Sequence, residues 1–413
     1  MQYGLIGEKL SHSFSKEIHE SMADYVYELC EISRENLGAF LEKREFSAIN
    51  VTMPYKKEVI PHLDEVSAVA NDLQAVNCIV NKNGKLFGYN TDYFGMRDLI
   101  LRSGIELSGK KALILGTGGT SRTSALVCRD LGAVEIIKVS RSKAEGSITY
   151  DEAYEKHFDA DVIINTTPVG MYPDCNNSPI ALCKFSKLEA VFDAVYNPLR
   201  TKLVLDAKAR GIHAEGGLYM LVSQAVHAVE LFTGVKFEQS RTDEVFEKIL
   251  KEKKNIILIG MPSCGKTTVG KILSNNLNRE LIDLDDEIVR EIGCEIAEFF
   301  KTHTEKEFRD IETLITKVIS KKNGIIIATG GGCILRDENV NALRQNGKLY
   351  FLDRDLSNLT PTDSRPLATK KEAIERLYNE RHGIYTSVCD YRIDGNLTPN
   401  EEADLIEREF LLK

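Results

Sequence analysis

Two glycine-rich turns, each set between a short apolar run and a helical stretch, constrain this chain more than any other feature. The first, Gly116-Thr117-Gly118-Gly119-Thr120-Ser121-Arg122, follows the apolar run 112–115. The second, Gly260-Met-Pro-Ser263-Cys264-Gly265-Lys266-Thr267-Thr268, follows 256–259. A strand that ends where a helix begins brings several backbone N–H groups and a helix N-terminus to one point, which suits a phosphate. Each turn therefore predicts its own α/β unit, and the pair predicts two nucleotide sites.

Length and pattern agree. A chain of 413 residues is too long for one core and fits two or three compact units. Apolar runs over 2–7, 48–53, 112–115, 135–139, 161–165 and 190–193 read as strands alternating with amphipathic helices, so the expected fold class is α/β with parallel sheets. The Lys/Glu-rich stretch 241–254 reads as a polar helix or linker before the second unit. No apolar run approaches the roughly 20 residues that span a bilayer, and the first residues lack a signal-peptide pattern. The nine cysteines are scattered and never spaced Cys-x-x-Cys, which argues for reduced thiols and a cytoplasmic home. A net charge of −9 disfavours nucleic-acid and acidic-membrane partners but leaves room for small anions at a local cationic cluster.

In the C-terminal half, the second glycine turn fits the P-loop pattern in full. Its backbone, with Ser263, Cys264, Gly265 and Thr268, would cradle the phosphates of ATP; Lys266 would reach the β- and γ-phosphates, and Thr267 would ligate Mg²⁺. Downstream stand Asp283 and Asp285 at a strand end, Arg309 and Glu312 on a helix, and Gly330-Gly331-Gly332 after the apolar run 325–329. This set resembles shikimate kinase over 255–413. The resemblance implies a P-loop fold like that of the nucleoside monophosphate kinases. It also implies that Asp285 grips and orients the reacting hydroxyl, that Arg309 and Arg381 bind the substrate carboxylate, and that Gly331 lies against the ring. Asp283 would assist Mg²⁺ through water, and Arg365, in a mobile lid near 357–367, would touch the transferring phosphate. The lid stretch 358–364 lacks an arginine that many relatives carry, which bears on ATP affinity.

In the N-terminal half, the first turn is the dinucleotide fingerprint with Ser121 at the third glycine position. The following strand ends in Ser140-Arg141-Ser142-Lys143, where a cation suits the 2′-phosphate of NADP(H). Lys56, after Asn50-Val-Thr52-Met-Pro54, and Asp92, after Asn90-Thr, form a pair able to move the proton that accompanies hydride transfer to a carbonyl. These motifs resemble shikimate dehydrogenase over 1–245. The resemblance implies Ser13 and Ser15 on the substrate carboxylate and Thr52, Asn77, Asp92, Tyr196 and Gln224 on the substrate, with Lys56 and Asp92 catalytic. Gly116, Thr117, Gly118, Gly119, Thr120, Ser140, Arg141 and Gly217 would hold the cofactor. His12 and His19 are assigned structural hydrogen bonding.

The expected organisation is a substrate lobe at 1–101 completed by about 216–245, a Rossmann-type NADP lobe at 102–215, a linker at 241–254 and a kinase domain at 255–413. The two resemblances name consecutive reactions: reduction of 3-dehydroshikimate to shikimate, then its phosphorylation to shikimate 3-phosphate. Competing readings are a quinate/shikimate preference and a silent shikimate- or quinate-sensing regulator. Nothing in the sequence sets an oligomeric state, and a monomer is compatible with it.

Overall fold

The computed structural model describes residues 1–10, 14–143, 145–360 and 371–412. It divides into two compact units, Met1–Ile249 and Leu250–Lys413.

The first unit contains two sheets. Strands β1 (Tyr3–Gly7), β2 (Tyr27–Glu31), β3 (Ala48–Val51), β4 (Glu65–Val66), β5 (Cys78–Lys82) and β6 (Lys85–Tyr89) form the substrate lobe in the order β2-β1-β3-β5-β6-β4. This sheet is mixed, not wholly parallel as the sequence suggests, because β5 pairs antiparallel with both β3 and β6. The hairpin turns on Asn83 and Gly84, both at positive φ (54° and 83°), the backbone that a two-residue turn between twisted strands requires. The helix Leu218–Thr233 returns from the other lobe and buries Ala228 and Phe232 against Leu5, Tyr27 and Val80, which completes this lobe.

The second sheet comprises β7 (Lys111–Leu115), β8 (Glu135–Ser140), β9 (Ser147–Thr149), β10 (Val162–Asn165), β11 (Ala190–Asp193) and β12 (His213–Glu215). All its pairings are parallel, and the order is β12-β11-β10-β7-β8-β9. Winding reverses between β7 and β10, so a crevice opens at the carboxyl ends of those two strands, where a dinucleotide binds in this topology. β10 and β11 are buried along their whole length, as strands covered on both faces must be.

The stretch read as a polar helix or linker is the helix Gln239–Lys253. Val245, Phe246 and Ile249 are buried, and Phe246 meets the Tyr219 ring edge-on at 5.1 Å. Arg102 sits over both rings at 4.7 and 4.8 Å, and Tyr219 donates to Asp243 at 3.0 Å. One narrow apolar stripe anchors an otherwise charged helix to the first unit. A composition dominated by Lys and Glu conceals that stripe.

The second unit is built on β13 (Asn255–Ile259), β14 (Leu281–Asp283), β15 (Ile326–Ala328), β16 (Gly347–Asp353) and β17 (Tyr391–Asp394). The sheet is parallel throughout, in the order β14-β15-β13-β16-β17. Its central strand, β13, is buried at every residue and delivers the glycine loop at its carboxyl end. Four loops converge there: those leaving β13, β14, β15 and β16.

Candidate active sites

In the first unit, Lys56 follows β3 and Asp92 opens the helix Asp92–Arg102. Lys56 Nζ donates to Asp92 Oδ2 at 2.6 Å. Asn77 Nδ2 holds the other carboxylate oxygen at 2.9 Å, and its Oδ1 accepts from Thr91 N at 2.7 Å. Behind it, Tyr27 donates to Asn50 Oδ1 at 2.8 Å and Asn50 donates to the Asn77 carbonyl at 3.1 Å. The pair is thus fixed in geometry by a buried polar chain, of which sequence reading found only the front members. Ser15, Thr52, Tyr196 and Gln224 line the same cleft. Burial raises the Tyr196 hydroxyl above its ordinary value, so it faces the cleft as a neutral donor. Ser13 lies outside the described residues.

The other lobe supplies the far wall. Gly116 has φ 108°, and a Cβ there would stand 2.8 Å from Thr166 Oγ1, so the turn after β7 admits only glycine against the loop after β10. At Gly118 and Gly119 a Cβ would meet nothing within 4 Å, which leaves the start of the helix Gly119–Asp130 open to approach. Thr120 and Gly217 line the substrate cleft itself, beside Lys56. Ser140 bonds Ser147 Oγ at 3.0 Å; Arg141 is exposed beside it, while Lys143 pairs with Glu152 at 3.4 Å. Of the two cations after β8, the structure leaves Arg141 as the one facing solvent without an ion pair among the described residues.

Asp193, which the sequence did not single out, holds Asn165, whose Oδ1 in turn accepts from Thr167 N at 3.0 Å and Thr167 Oγ1 at 2.7 Å. Buried at the end of β11, Asp193 accepts from Asn165 Nδ2 (2.9 Å), Val195 N (3.0 Å) and Thr201 Oγ1 (2.6 Å). Burial pushes its carboxyl up to about 6 although all three donors oppose the shift.

In the second unit, Lys266 is buried and donates to the carbonyls of Gly260 and Met261, both at 2.9 Å. Cys264 is a buried space-filler under the loop. Thr267 Oγ1 donates to Asp283 Oδ2 at 2.6 Å. Asp283 ends β14 and caps the next helix by accepting from Asp285 N at 3.0 Å, so Asp285 stands on the first turn of the helix Leu284–Ile292 rather than on the strand.

The triple glycine packs among charges. A Cβ on Gly330 would lie 2.6 Å from Asp285 Oδ1, and one on Gly332 would lie 2.2 Å from Arg309 Nη2. The Gly331 carbonyl accepts from Arg381 Nη1 at 3.1 Å and from the Tyr385 hydroxyl. Arg309 is held at 2.7 Å by Glu312, a buried carboxyl that burial raises above its ordinary value while Arg309 opposes the shift. Asp283, Asp285, Arg309, Gly331 and Arg381 line one cavity with Thr267. Sequence reading quoted Glu312 without giving it work; its spacing of three from Arg309 on a helix was the available signal. Arg365 lies outside the described residues.

These sites define a dinucleotide-dependent reductase joined to a P-loop phosphotransferase. Residues 5–79 match the model of the shikimate dehydrogenase substrate binding domain, and residues 262–409 match the model of shikimate kinase. The shikimate dehydrogenase (NADP(+)) of Clostridium perfringens strain SM101 is 36% identical over 265 residues, covering 60% of this chain and 97% of its own. A chorismate mutase/shikimate 5-dehydrogenase fusion protein from Clostridium acetobutylicum superposes with a TM-score of 0.57 at 34% identity, over 60% of this chain and 96% of that one. Shikimate 5-dehydrogenase from Thermus thermophilus, solved in complex with NADP(H) and shikimate, gives 0.54 at 31% identity, over 60% and 99%.

The chain belongs to the shikimate dehydrogenase family and carries a shikimate kinase domain behind its dehydrogenase region. It is a bifunctional shikimate-pathway enzyme, an NADP-dependent dehydrogenase and a kinase in one polypeptide.

Proposed function

We propose that the first unit reduces the C3 carbonyl of 3-dehydroshikimate and that the second phosphorylates the hydroxyl so formed. The observation that carries this reading is the Lys56–Asp92 contact at 2.6 Å, set in a cleft whose far wall is the dinucleotide lobe. When bound, NADPH supplies the hydride. Lys56, oriented by Asp92, donates the proton to the carbonyl oxygen, and Asn77 keeps Asp92 in place. Ser13, Ser15 and Tyr196 receive the substrate carboxylate, while Thr52 and Gln224 face the ring hydroxyls. Arg141 takes the 2′-phosphate; it is exposed, and no acid ends β8 to oppose it.

In the kinase, the paired arginine forks of Arg309 and Arg381 suit the shikimate carboxylate. Asp285 orients the 3-hydroxyl and accepts its proton as the γ-phosphoryl group passes from ATP to that oxygen. Lys266 exchanges its carbonyl partners for the phosphates, and Arg365 contacts the transferring phosphate. The hydroxyl of Thr267 and the carboxylate of Asp283 are hard oxygen donors side by side, a set that fits Mg²⁺ held with the phosphates. The ion, when bound, neutralises charge on the transferring group.

Among the described residues no helix is long and apolar enough to cross a membrane, and all nine cysteines are free thiols. Free thiols and the two cofactors support a cytoplasmic setting. Single-site variants test the assignment. Lys56→Met should slow NADPH oxidation with 3-dehydroshikimate by about 100-fold or more while shikimate phosphorylation persists, and Asp285→Asn should do the reverse. A Lys56→Met chain that still oxidises NADPH at the native rate overturns the reductase assignment.

A further inference from the structure

We propose that Arg354 is a nucleotide-binding residue of the kinase, its guanidinium meeting the phosphates held by the loop 260–267. The proposal rests on the kinase reading above and adds a cation to that site.

β16 runs parallel beside β13, with Ile259 paired to Phe351, so the loop leaving β16 stands against the glycine loop. A Cβ on Gly260 would lie 2.8 Å from the Leu352 carbonyl, which measures how close the two segments come. Arg354 is the first cation beyond that contact. Its Nη1 lies 3.9 Å from where a Cβ on Gly265 would stand, and Gly265 caps the helix Lys266–Leu277 on which the phosphates would rest.

The backbone of Arg354 is pinned while its side chain is not. Gly395 approaches so closely that a Cβ would sit 2.8 Å from Arg354 N. The next residue, Asp355, donates its N–H to Asn396 Oδ1 at 3.2 Å, and Asn358 donates to the same oxygen at 2.9 Å. Yet Arg354 Nε is buried without a hydrogen-bond partner, and among the described residues no carboxylate pairs with the guanidinium. The nearby acids are otherwise engaged or too far. Asp353 is taken by His382 and Arg392. The buried Glu402 feels the charge of Arg354 but forms no ion pair with it.

A buried donor left unpaired in the free protein is costly, and the cost is recovered when an anion arrives. A helix N-terminus already favours that anion, and an arginine fork matches two phosphate oxygens. No Lys, Arg or His separates Arg354 from Arg365 in the sequence, so this stretch offers no substitute.

The test uses the full chain with Arg354→Gln and Arg354→Lys. Calorimetric Kd values for Mg-ADP and for shikimate are measured alongside the thermal transition of the second unit, which reports that the kinase unit has folded. Arg354→Gln is expected to raise the ADP Kd tenfold or more, Arg354→Lys to recover part of the loss, and the shikimate Kd to stay within twofold. An ADP Kd within twofold of the native value in Arg354→Gln overturns the proposal. So does an equal loss of ADP and shikimate binding that Arg354→Lys fails to relieve, since that marks a merely structural role. A native chain that neither binds ADP nor phosphorylates shikimate overturns the kinase reading itself, which the variant comparison then separates from the role of Arg354.

Discussion

Lys56 and Asp92 stand 36 positions apart and meet at 2.6 Å only because β3 and the helix Asp92–Arg102 deliver them to one cleft. Removing the proton donor should cost the reductase about 100- to 10,000-fold in kcat/KM. Stopped-flow NADPH oxidation by Lys56→Met checks this, and the thermal transition of the first unit in the same sample shows whether that unit is intact. His19 illustrates the opposite outcome. It bonds the Tyr25 hydroxyl at 2.8 Å, stacks on Tyr27 at 4.0 Å, and burial pulls it down to about 3. A histidine with a depressed native value is neutral when folded but binds a proton when unfolded below its ordinary 6.5 or so. Its contribution is therefore complete above that pH and is lost as pH falls from there toward 3. Between pH 7.5 and 5 the native chain should lose about 2 kcal/mol more stability than His19→Phe, as measured by urea unfolding. Ser263 was legible as a P-loop position but its cost was not: it holds φ 65° in the left-handed region. Ser263→Gly should stabilise the second unit by about 1 kcal/mol, read from its thermal transition; a loss would show that the Ser263 side chain contributes more than the backbone strain costs.

At the scale of elements, the buried parallel strands were the easiest to read, because strands covered on both faces are continuous apolar runs: 112–115, 161–165, 190–193 and 256–259 lie within a residue of β7, β10, β11 and β13. β2 and β17 were not read. Most of their side chains face solvent, and so few apolar residues mark them. The β5–β6 hairpin had its signal in Asn83-Gly84, which a parallel-sheet expectation passed over. The helix Gln239–Lys253 was legible as a polar helix or a linker, but its buried face was not, because that face is only a few residues wide. Phe246→Ala should therefore destabilise the first unit by about 3 kcal/mol, as a core truncation does, and leave the kinase transition in place. If 241–254 were a linker, the same change would cost almost nothing. Calorimetry of the two transitions decides between them.

For the whole molecule, two site types were legible because each chemistry demands a glycine turn at a strand end. What sequence could not supply was the support behind them: Asn50 and Tyr27 behind Asn77, Asp193 on Asn165, and Glu312 on Arg309. Asn50 and Glu312 stand inside stretches the sequence did mark, but the contacts all four make are set only by the fold. The central claim is that one chain makes a hydroxyl and then phosphorylates it. The direct measurement is a single reaction of the purified chain with 3-dehydroshikimate, NADPH and Mg-ATP, followed by absorbance and mass spectrometry. The account predicts NADPH loss matched by shikimate 3-phosphate, and shikimate as the end product when ATP is left out. Unchanged NADPH, or shikimate accumulating with ATP present, would contradict it.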